Sequence, residues 1–431
     1  MKNIKLIKLT RNPFILFLPF LIIYIVFVLL LYSPKKGGDE WRYFDFANNL
    51  LNGFYSPGGA NINLTNGPGY PLLLVPFLLF HLPKVCVVLL NAVFHYLSVV
   101  FLFKALQQFV SMRKAIIFSL FWACYYVAYQ NMPSAVTETF TMFLVSILIF
   151  FCTRAFATKE ISEVKKDIFF AGLILGYIVL TKVIFGYVVL VMLIGILFLW
   201  IFNKKAANYR KGVIILSIAF MTFTPYLVYT YHLTGRVFYL STADDALYWM
   251  TSPYHGEYGD WKGTLDQNPV DLGNYNIPGA GDTLIAHHKE DFDKINELKG
   301  ELAKGDLYKK IAIQNIKSYP LNYGKNIFFN IGRIFFHYPF SYAVQRPKSL
   351  FVMPINGIIL TFILLCMIPT LVFWRRIIFS LRFFLFIAFL YLGASSLVSA
   401  ETRMITIIVP ILIFWFAYII QKTVKLNLRD W

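Results

Sequence analysis

Apolar runs of about twenty residues recur from one end of this chain to the other, each long enough to cross a hydrocarbon core of roughly 30 Å as a helix. Inside such a core every backbone N–H and C=O must find its partner within the protein, and a continuous apolar run, unlike an alternating one, meets that demand as an α-helix. The fold class that follows is an α-helical polytopic membrane protein. Composition agrees, with 14% charged residues against about 25% in a soluble domain. Cys86, Cys124, Cys152 and Cys366 all lie inside apolar runs with no partner at metal-ligand spacing, so neither a disulfide framework nor a thiolate zinc site is expected.

The net charge of +18 would suggest a nucleic-acid partner if it were spread evenly, and it is not. The amino terminus and the clusters 104–114, 154–167, 203–211, 375–382 and 421–431 hold 21 of the 40 Lys+Arg and 4 of the 22 Asp+Glu, a net +17, and leave +1 on everything else. That asymmetry is the positive-inside pattern and assigns these clusters to the cytoplasm. The basic excess sets topology, and no nucleic-acid partner is expected.

With the clusters assigned, ten spans are predicted at about 14–32, 85–103, 115–131, 135–153, 168–181, 183–202, 213–231, 350–373, 378–396 and 405–420, with both termini cytoplasmic. The run 14–32 follows Lys2, Lys5, Lys8 and Arg11 as a secretory signal would, but no small-residue cleavage site follows, and it reads as a retained helix. Gly69 to Leu82 is short and rich in proline, which suits a juxtamembrane or re-entrant helix on the outer face. Phe169 to Phe202 is too long for one span, and its single charge, Lys182, marks an outer turn between two. Three units result: an N-terminal transmembrane module, 1–231, with a first outer loop at 33–84; an extracytoplasmic region, 232–349; and C-terminal transmembrane helices, 350–431. The extracytoplasmic region shows turn signals around 252–283, one amphipathic helix from Glu290 to Tyr319, and an aromatic stretch, 327–340, suited to lying in the interface.

Few charges stand in outer loops or at outer span ends. Asp39, Arg42 and Tyr43 share one face of a helix, while Glu40 turns away by about 100°. Asp39 can then accept a proton from an acceptor hydroxyl, or the pair is an acidic first turn that complements the helix dipole. Glu138 lies several residues into an apolar span, where a carboxylate costs about 2.5–3.5 kcal/mol, which favours a working role. Lys182 and Arg403 read as lone cations at the depth of a lipid phosphate, as phosphate ligands or as snorkelling side chains. Asp244-Asp245 either meets substrate or caps a helix. His287-His288 with Glu290 and Asp291 reads as a solvated helix surface, and no metal is expected.

Several stretches together resemble the GT-C membrane glycosyltransferases of the protein O-mannosyltransferase type, including the bacterial branch related to lipid A aminoarabinose transferases. They are Gly38-Asp39-Glu40-Trp41-Arg42-Tyr43 with Ala47, Leu50-Leu51 and Gly53; Gly67-Pro68-Gly69-Tyr70-Pro71; Pro133 to Glu138; Ala171-Gly172 through Gly176 to Leu180-Thr181-Lys182; and Pro225 through Gly235 to Leu240-Ser241-Thr242. Ala312, Tyr319-Pro320 and Glu401-Thr402-Arg403 before Pro410 fit the same order. The resemblance implies a GT-C-like fold, with Asp39 as the catalytic carboxylate, Glu40 as its acidic neighbour, Glu138 as a second acidic position, and Lys182 and Arg403 beside the phosphate of the lipid. Arg42, Tyr43, Tyr70 and Asp244 become candidate substrate contacts. Two departures stand out: Gly67 replaces a lysine of the aminoarabinose branch, and Met404 a common tyrosine.

The function expected is a glycosyltransferase that moves a sugar from a polyprenyl-phosphate donor to a lipid, glycan or protein acceptor, inverting, at the extracytoplasmic face. No cofactor is expected, in keeping with the lack of a phosphate-cradling glycine loop. The expected setting is a bacterial inner or plasma membrane. A polysaccharide polymerase or ligase shares these features, whereas a transporter or flippase would place charges near the midplane and often show a repeat.

Overall fold

The computed structural model describes residues 12–158, 160–203, 206–237, 239–262, 279–342 and 347–423. The basic residues at 1–11, 204–205 and 424–431, and half of the turn-rich stretch expected at 252–283, lie outside them. The described residues form helices and no strand. From the amino terminus come α1 (Leu18–Leu31), α2 (Glu40–Leu51), α3 (Gly69–Leu79), α4 (Lys84–Leu106), α5 (Met112–Ala123), α6 (Thr137–Ala157), α7 (Lys165–Thr181), α8 (Ile184–Phe202) and α9 (Ala207–Thr234). The outer region carries α10 (Ser241–Met250), α11 (Ala280–Asn296), α12 (Glu301–Ser318) and α13 (Pro320–Phe336), and the chain closes with α14 (Pro347–Val372), α15 (Phe379–Ser396) and α16 (Val409–Thr423).

Among the described residues six helices, α4, α6, α8, α9, α14 and α15, are long and apolar enough to cross a membrane, and α1, α3 and α16 are shorter apolar helices. The chain is an integral membrane protein. α3 has 11 residues and an internal Pro76; at about 1.5 Å per residue it reaches roughly 16 Å, half a bilayer core. The helix break after Thr181 falls at Lys182.

α16 is the central element. Val409 to Ile419 is buried on all sides, against α4, α5, α6, α14 and α15, as an all-round apolar helix must be. Polar groups that enter this core are matched between helices: Ser98 of α4 meets Ser146 of α6 at 2.7 Å and accepts from the Trp122 indole of α5 at 2.9 Å. α7 and α9 cross closely because Gly172 and Gly176 face Ile218 and Thr222, where a Cβ would come within 2.6 and 2.5 Å. Small residues at i and i+4 are the usual device for such a contact in lipid.

The region 232–349 departs from the sequence reading in two places. The single helix expected from Glu290 to Tyr319 is two, α11 and α12, broken where Gly300 takes a φ of +96°, a conformation that glycine alone tolerates well. Most of the aromatic stretch 327–340 falls in α13, which exposes Phe328 and Ile331 on one side and fully buries Arg333 on the other. The two terminal nitrogens of Arg333 donate to the carbonyls of Tyr258 at 2.7 Å and Gly259 at 2.9 Å and to Asn330 at 3.0 Å. The histidine pair is not a solvated surface either: His288 is buried beside Tyr248, Trp249 and Phe292, with Glu257 accepting at 2.8 Å. Apolar packing of α10 against α11 and α12 takes that face out of water.

Candidate active site

Five of the residues singled out above converge at one end of the helix bundle, although they are drawn from positions 39 to 403. Asp39 is the N-cap residue of α2, yet its carboxylate caps no backbone N–H. It is held instead between two guanidiniums: Arg42, one turn along the same helix, and Arg403, whose Nη1 lies 2.8 Å from Oδ2. Arg403 begins the single turn (403–406) that leads into α16, so the buried central helix delivers it to the site. Its Nε lies 3.2 Å from Glu401 and 3.8 Å from Glu138. Glu138, in the first turn of α6 where a carboxylate suits the helix dipole, is 1% exposed and accepts from Lys182 Nζ at 2.9 Å. Lys182 and Arg403 are therefore not lone cations, because each spans the gap to a carboxylate that would otherwise be buried uncompensated.

The arrangement is close to neutral but rich in unused donors. Lysine has three N–H groups and arginine five. Lys182 spends one on Glu138, and Arg403 directs Nη1 and Nε at carboxylates. Burial by itself would lift the Asp39 carboxyl, but the charges of Arg403 and Arg42 outweigh it and hold Asp39 below the usual carboxylate range. Tyr43 and Tyr70 form an edge-to-face pair, centroids 5.2 Å apart, both buried. The Tyr70 hydroxyl and Glu138 Oε2 have no hydrogen-bond partner among the described residues.

Glu40 has a different geometry. Its Oε2 accepts from Lys84 Nζ and from the Gly37 N–H, both at 2.8 Å, and its Oε1 from the Ala135 N–H at 2.7 Å. The loop that supplies Ala135 is itself held by Asn91 of α4, which donates to the carbonyls of Met132 and Ser134 at 3.1 and 2.9 Å. Glu40 thus ties the first outer loop to α4 and to the approach of α6, facing away from Asp39 as the helical spacing requires. Asp244 also stands apart: its carboxylate lies against α12, where a Cβ on Gly305 would be 3.1 Å away. Its neighbour Asp245 is the one that feels the charge of Arg42.

Gly67 acquires a physical reason. A Cβ there would sit 2.2 Å from the Leu180 carbonyl oxygen, and one on Gly69 2.6 Å from Thr181 Oγ1, so the chain before α3 presses directly on the end of α7 that presents Lys182. Gly67→Ala is expected to lower the thermal midpoint in detergent by an overpacking cost of about 1–3 kcal/mol. It should also displace Lys182. Gly58→Ala, where a Cβ meets nothing within 4 Å, is the control that should leave the midpoint unchanged.

One positioning residue, Asn330, escaped the sequence reading. Asn330 of α13 donates to the carbonyls of Ser395, Ser396 and Val398 at 3.2, 3.0 and 2.6 Å and accepts from the Ala400 N–H at 3.0 Å; Thr402 Oγ1 donates to the Arg333 carbonyl at 2.7 Å. α13 thereby shapes the loop that carries Arg403. The available signal was Asn330 and Arg333 one turn apart in an aromatic stretch. Among the described residues no group of three His, Cys, Asp or Glu is placed to hold a metal.

No protein-family model and no curated protein sequence matches the chain. Solved structures do. An oligosaccharyltransferase of Archaeoglobus fulgidus tethered to an acceptor peptide containing the NVT sequon aligns over 94% of this chain and 49% of its own, with 14% identity and a TM-score of 0.51. Archaeoglobus fulgidus oligosaccharyltransferase AglB in complex with an inhibitory peptide and a dolichol-phosphate covers 94% and 50% at 12% identity and a TM-score of 0.49. ArnT from Cupriavidus metallidurans bound to undecaprenyl phosphate covers 94% and 77% at 10% identity and a TM-score of 0.41. The likeness to the peptide-tethered oligosaccharyltransferase shows a shared, GT-C-like fold. The chain spans about half the length of the archaeal oligosaccharyltransferases that it matches.

Proposed function

We propose that this protein is a membrane glycosyltransferase that moves one sugar from a polyprenyl-phosphate donor to an acceptor hydroxyl at the extracytoplasmic face, with inversion at the anomeric carbon. The observation that carries the reading is the convergence of Asp39, Arg42, Glu138, Lys182 and Arg403 at one end of a bundle that shares its fold with an oligosaccharyltransferase. Asp39 takes the proton of the acceptor hydroxyl as that oxygen bonds to the anomeric carbon. The bond from that carbon to the phosphate oxygen breaks, and the polyprenyl phosphate leaves with the electron pair. Charge on the phosphate grows during this step, and fixed cations that are already oriented stabilise it without reorganisation. The spare N–H groups of Lys182 and Arg403 supply that role. As Arg403 turns toward the phosphate its hold on Asp39 loosens, and the carboxylate regains basicity when a base is needed.

Glu138 keeps both cations in place, Glu40 braces the loop, and Arg42, Tyr43 and Tyr70 line the Asp39 side. The three-unit division at residues 231/232 and 349/350, the bacterial inner or plasma membrane and the outward-facing site belong to the same reading. The test is direct: purified protein incubated with radiolabelled polyprenyl-phosphate sugars and membrane fractions should transfer label with release of polyprenyl phosphate. Processive growth of a polymer from a lipid-diphosphate donor instead would point to a polymerase.

Orientation is tested separately. From the +17 against +1 partition, reporters fused after Arg113, Lys166, Lys205 and Arg376 should read cytoplasmic, and those after Gly58 and Asp271 external. Lys205 and Asp271 lie outside the described residues. An external signal after Arg113 overturns the ten-span topology.

A further inference from the structure

Beside the charged cluster stands a pair that the mechanism above does not use. Trp261 is 42% exposed, although the residue is tied by one indole and one backbone hydrogen bond. Its Nε1–H donates to Asp245 Oδ2 at 3.3 Å, and its backbone N–H donates to Ser399 Oγ at 2.8 Å. Asp245 belongs to α10, and Ser399 to the loop that two and four residues later supplies Glu401 and Arg403. Trp261 therefore joins the outer region to the edge of the site. Asp245 is 7% exposed and lies within electrostatic reach of Arg42, the partner of Asp39.

The support beneath Trp261 is rigid. Arg333 grips the carbonyls of Tyr258 and Gly259. Gly259, at a φ of +65°, packs so closely on Met250 and Asn326 that a Cβ would meet them at 2.9 and 3.0 Å. Asn326 donates to the carbonyls of Met250 and Ser252, both at 3.0 Å. An aromatic face carried on a held backbone loses less freedom on binding than one on a loose loop. Asp245 has spare acceptor capacity: Oδ1 accepts from the Ala246 N–H at 2.7 Å and Oδ2 from the indole, while a carboxylate offers about four lone-pair sites. Burial lifts its carboxyl to about 7 against the pull of the Trp261 and Ala246 N–H groups, so near neutral pH it can accept from a hydroxyl when ionised or donate to one when protonated.

A flat apolar face beside a hydroxyl acceptor is the complement of a pyranose, whose C–H groups cover one side of the ring and whose hydroxyls radiate at its edge. We propose that Trp261 and Asp245 form a sugar-binding subsite of the active site, with the pyranose stacked on the indole and one or two of its hydroxyls donating to Asp245. This rests on the glycosyltransferase reading. The ring belongs either to the donor or to a glycan acceptor, and the chemistry that recognises it is the same.

The experiment separates the two sources and separates this subsite from the phosphate site. Equilibrium binding to the full-length protein in detergent is measured for polyprenyl phosphate, for polyprenyl-phosphate mannose, glucose and galactose, and for the free methyl glycosides, with wild type, Trp261→Ala, Trp261→Phe and Asp245→Asn. The wild type should prefer at least one sugar-bearing ligand over its sugar-free counterpart. Trp261→Ala should weaken that ligand about 10-fold, the loss expected for an aromatic stacking partner, and leave bare polyprenyl phosphate unchanged. Trp261→Phe should restore part of the loss, and Asp245→Asn should change which sugar is preferred. Loss confined to the lipid-linked sugars places the donor ring there; loss confined to the free glycosides places the acceptor. If wild type binds polyprenyl phosphate but discriminates no sugar, or if Trp261→Ala leaves the discrimination intact, the subsite is overturned. If wild type binds neither polyprenyl phosphate nor its glycosides, it is the glycosyltransferase reading that fails.

Discussion

Asp39→Asn should lower single-turnover transfer by about 10²-fold or more, the loss expected when a positioned general base is removed, with donor binding retained. The substitution keeps size and hydrogen-bonding capacity, so Arg42 and Arg403 stay near their places, but the amide cannot take up a proton at neutral pH. Glu40→Gln should cost turnover less, because its carboxylate braces Lys84 and two backbone N–H groups and does not face Asp39. The pH profile gives an independent check. Burial alone would raise the Asp39 carboxyl, and the two guanidiniums bring it below the usual range. The base is therefore ionised throughout neutral pH, and kcat/KM should fall only as pH drops through that depressed pKa. Taking away Arg403 removes a charge that favours the ionised form, so in Arg403→Ala the acid limb should move to higher pH. If Asp39→Asn turns over near the wild-type rate while Glu138→Gln is inactive, the base is Glu138.

Lys182→Ala should be the most destabilising substitution at the site. It removes a partner 2.9 Å from a carboxylate that is 1% exposed and leaves Arg403 Nε at 3.8 Å as compensation. Breaking a buried pair by deleting one member costs about 3–5 kcal/mol, and the lower end applies because Arg403 stays close. Thermal unfolding in detergent should show a clear drop in midpoint. The double variant Lys182→Met/Glu138→Gln removes both charges and should recover most of the midpoint, since the unpaired ion is gone. Binding of polyprenyl phosphate, which needs the ammonium rather than its partner, should stay weakened in the double variant. Wild-type affinity there would return Lys182 to a purely structural role.

The two results draw on different kinds of information. That Asp39 and Arg42 share a helix face follows from their spacing alone, since residues three apart on a helix meet wherever the helix is placed. Lys182 marks a helix break because an uncompensated charge in an apolar run of more than thirty residues is costly anywhere but at the interface. The pairings across the site have no such local cause. Whether Lys182 meets lipid phosphate, water or Glu138 depends on where the end of α7 comes to rest beside α6, and that end is pressed by the chain at Gly67 while Gly172 and Gly176 let α7 close on α9. Reading Lys182 and Arg403 as lone cations missed this.

The sequence by itself determined the membrane-embedded helical class, the asymmetry of charge between loops, and the few charged residues at the ends of apolar runs. Each is a property of composition, periodicity or the cost of charge in hydrocarbon, and none needs to know what packs beside it. The tertiary structure alone decided which carboxylate meets which cation, that Glu40 is a brace, that the long outer helix breaks at Gly300, and that Arg333 and Asn330 inside α13 shape the loops bearing Trp261 and Arg403. Most of those outcomes are contacts between residues tens to hundreds of positions apart. Their energies come from short-range packing and from the burial of charge, and both exist only once the helices have been brought together.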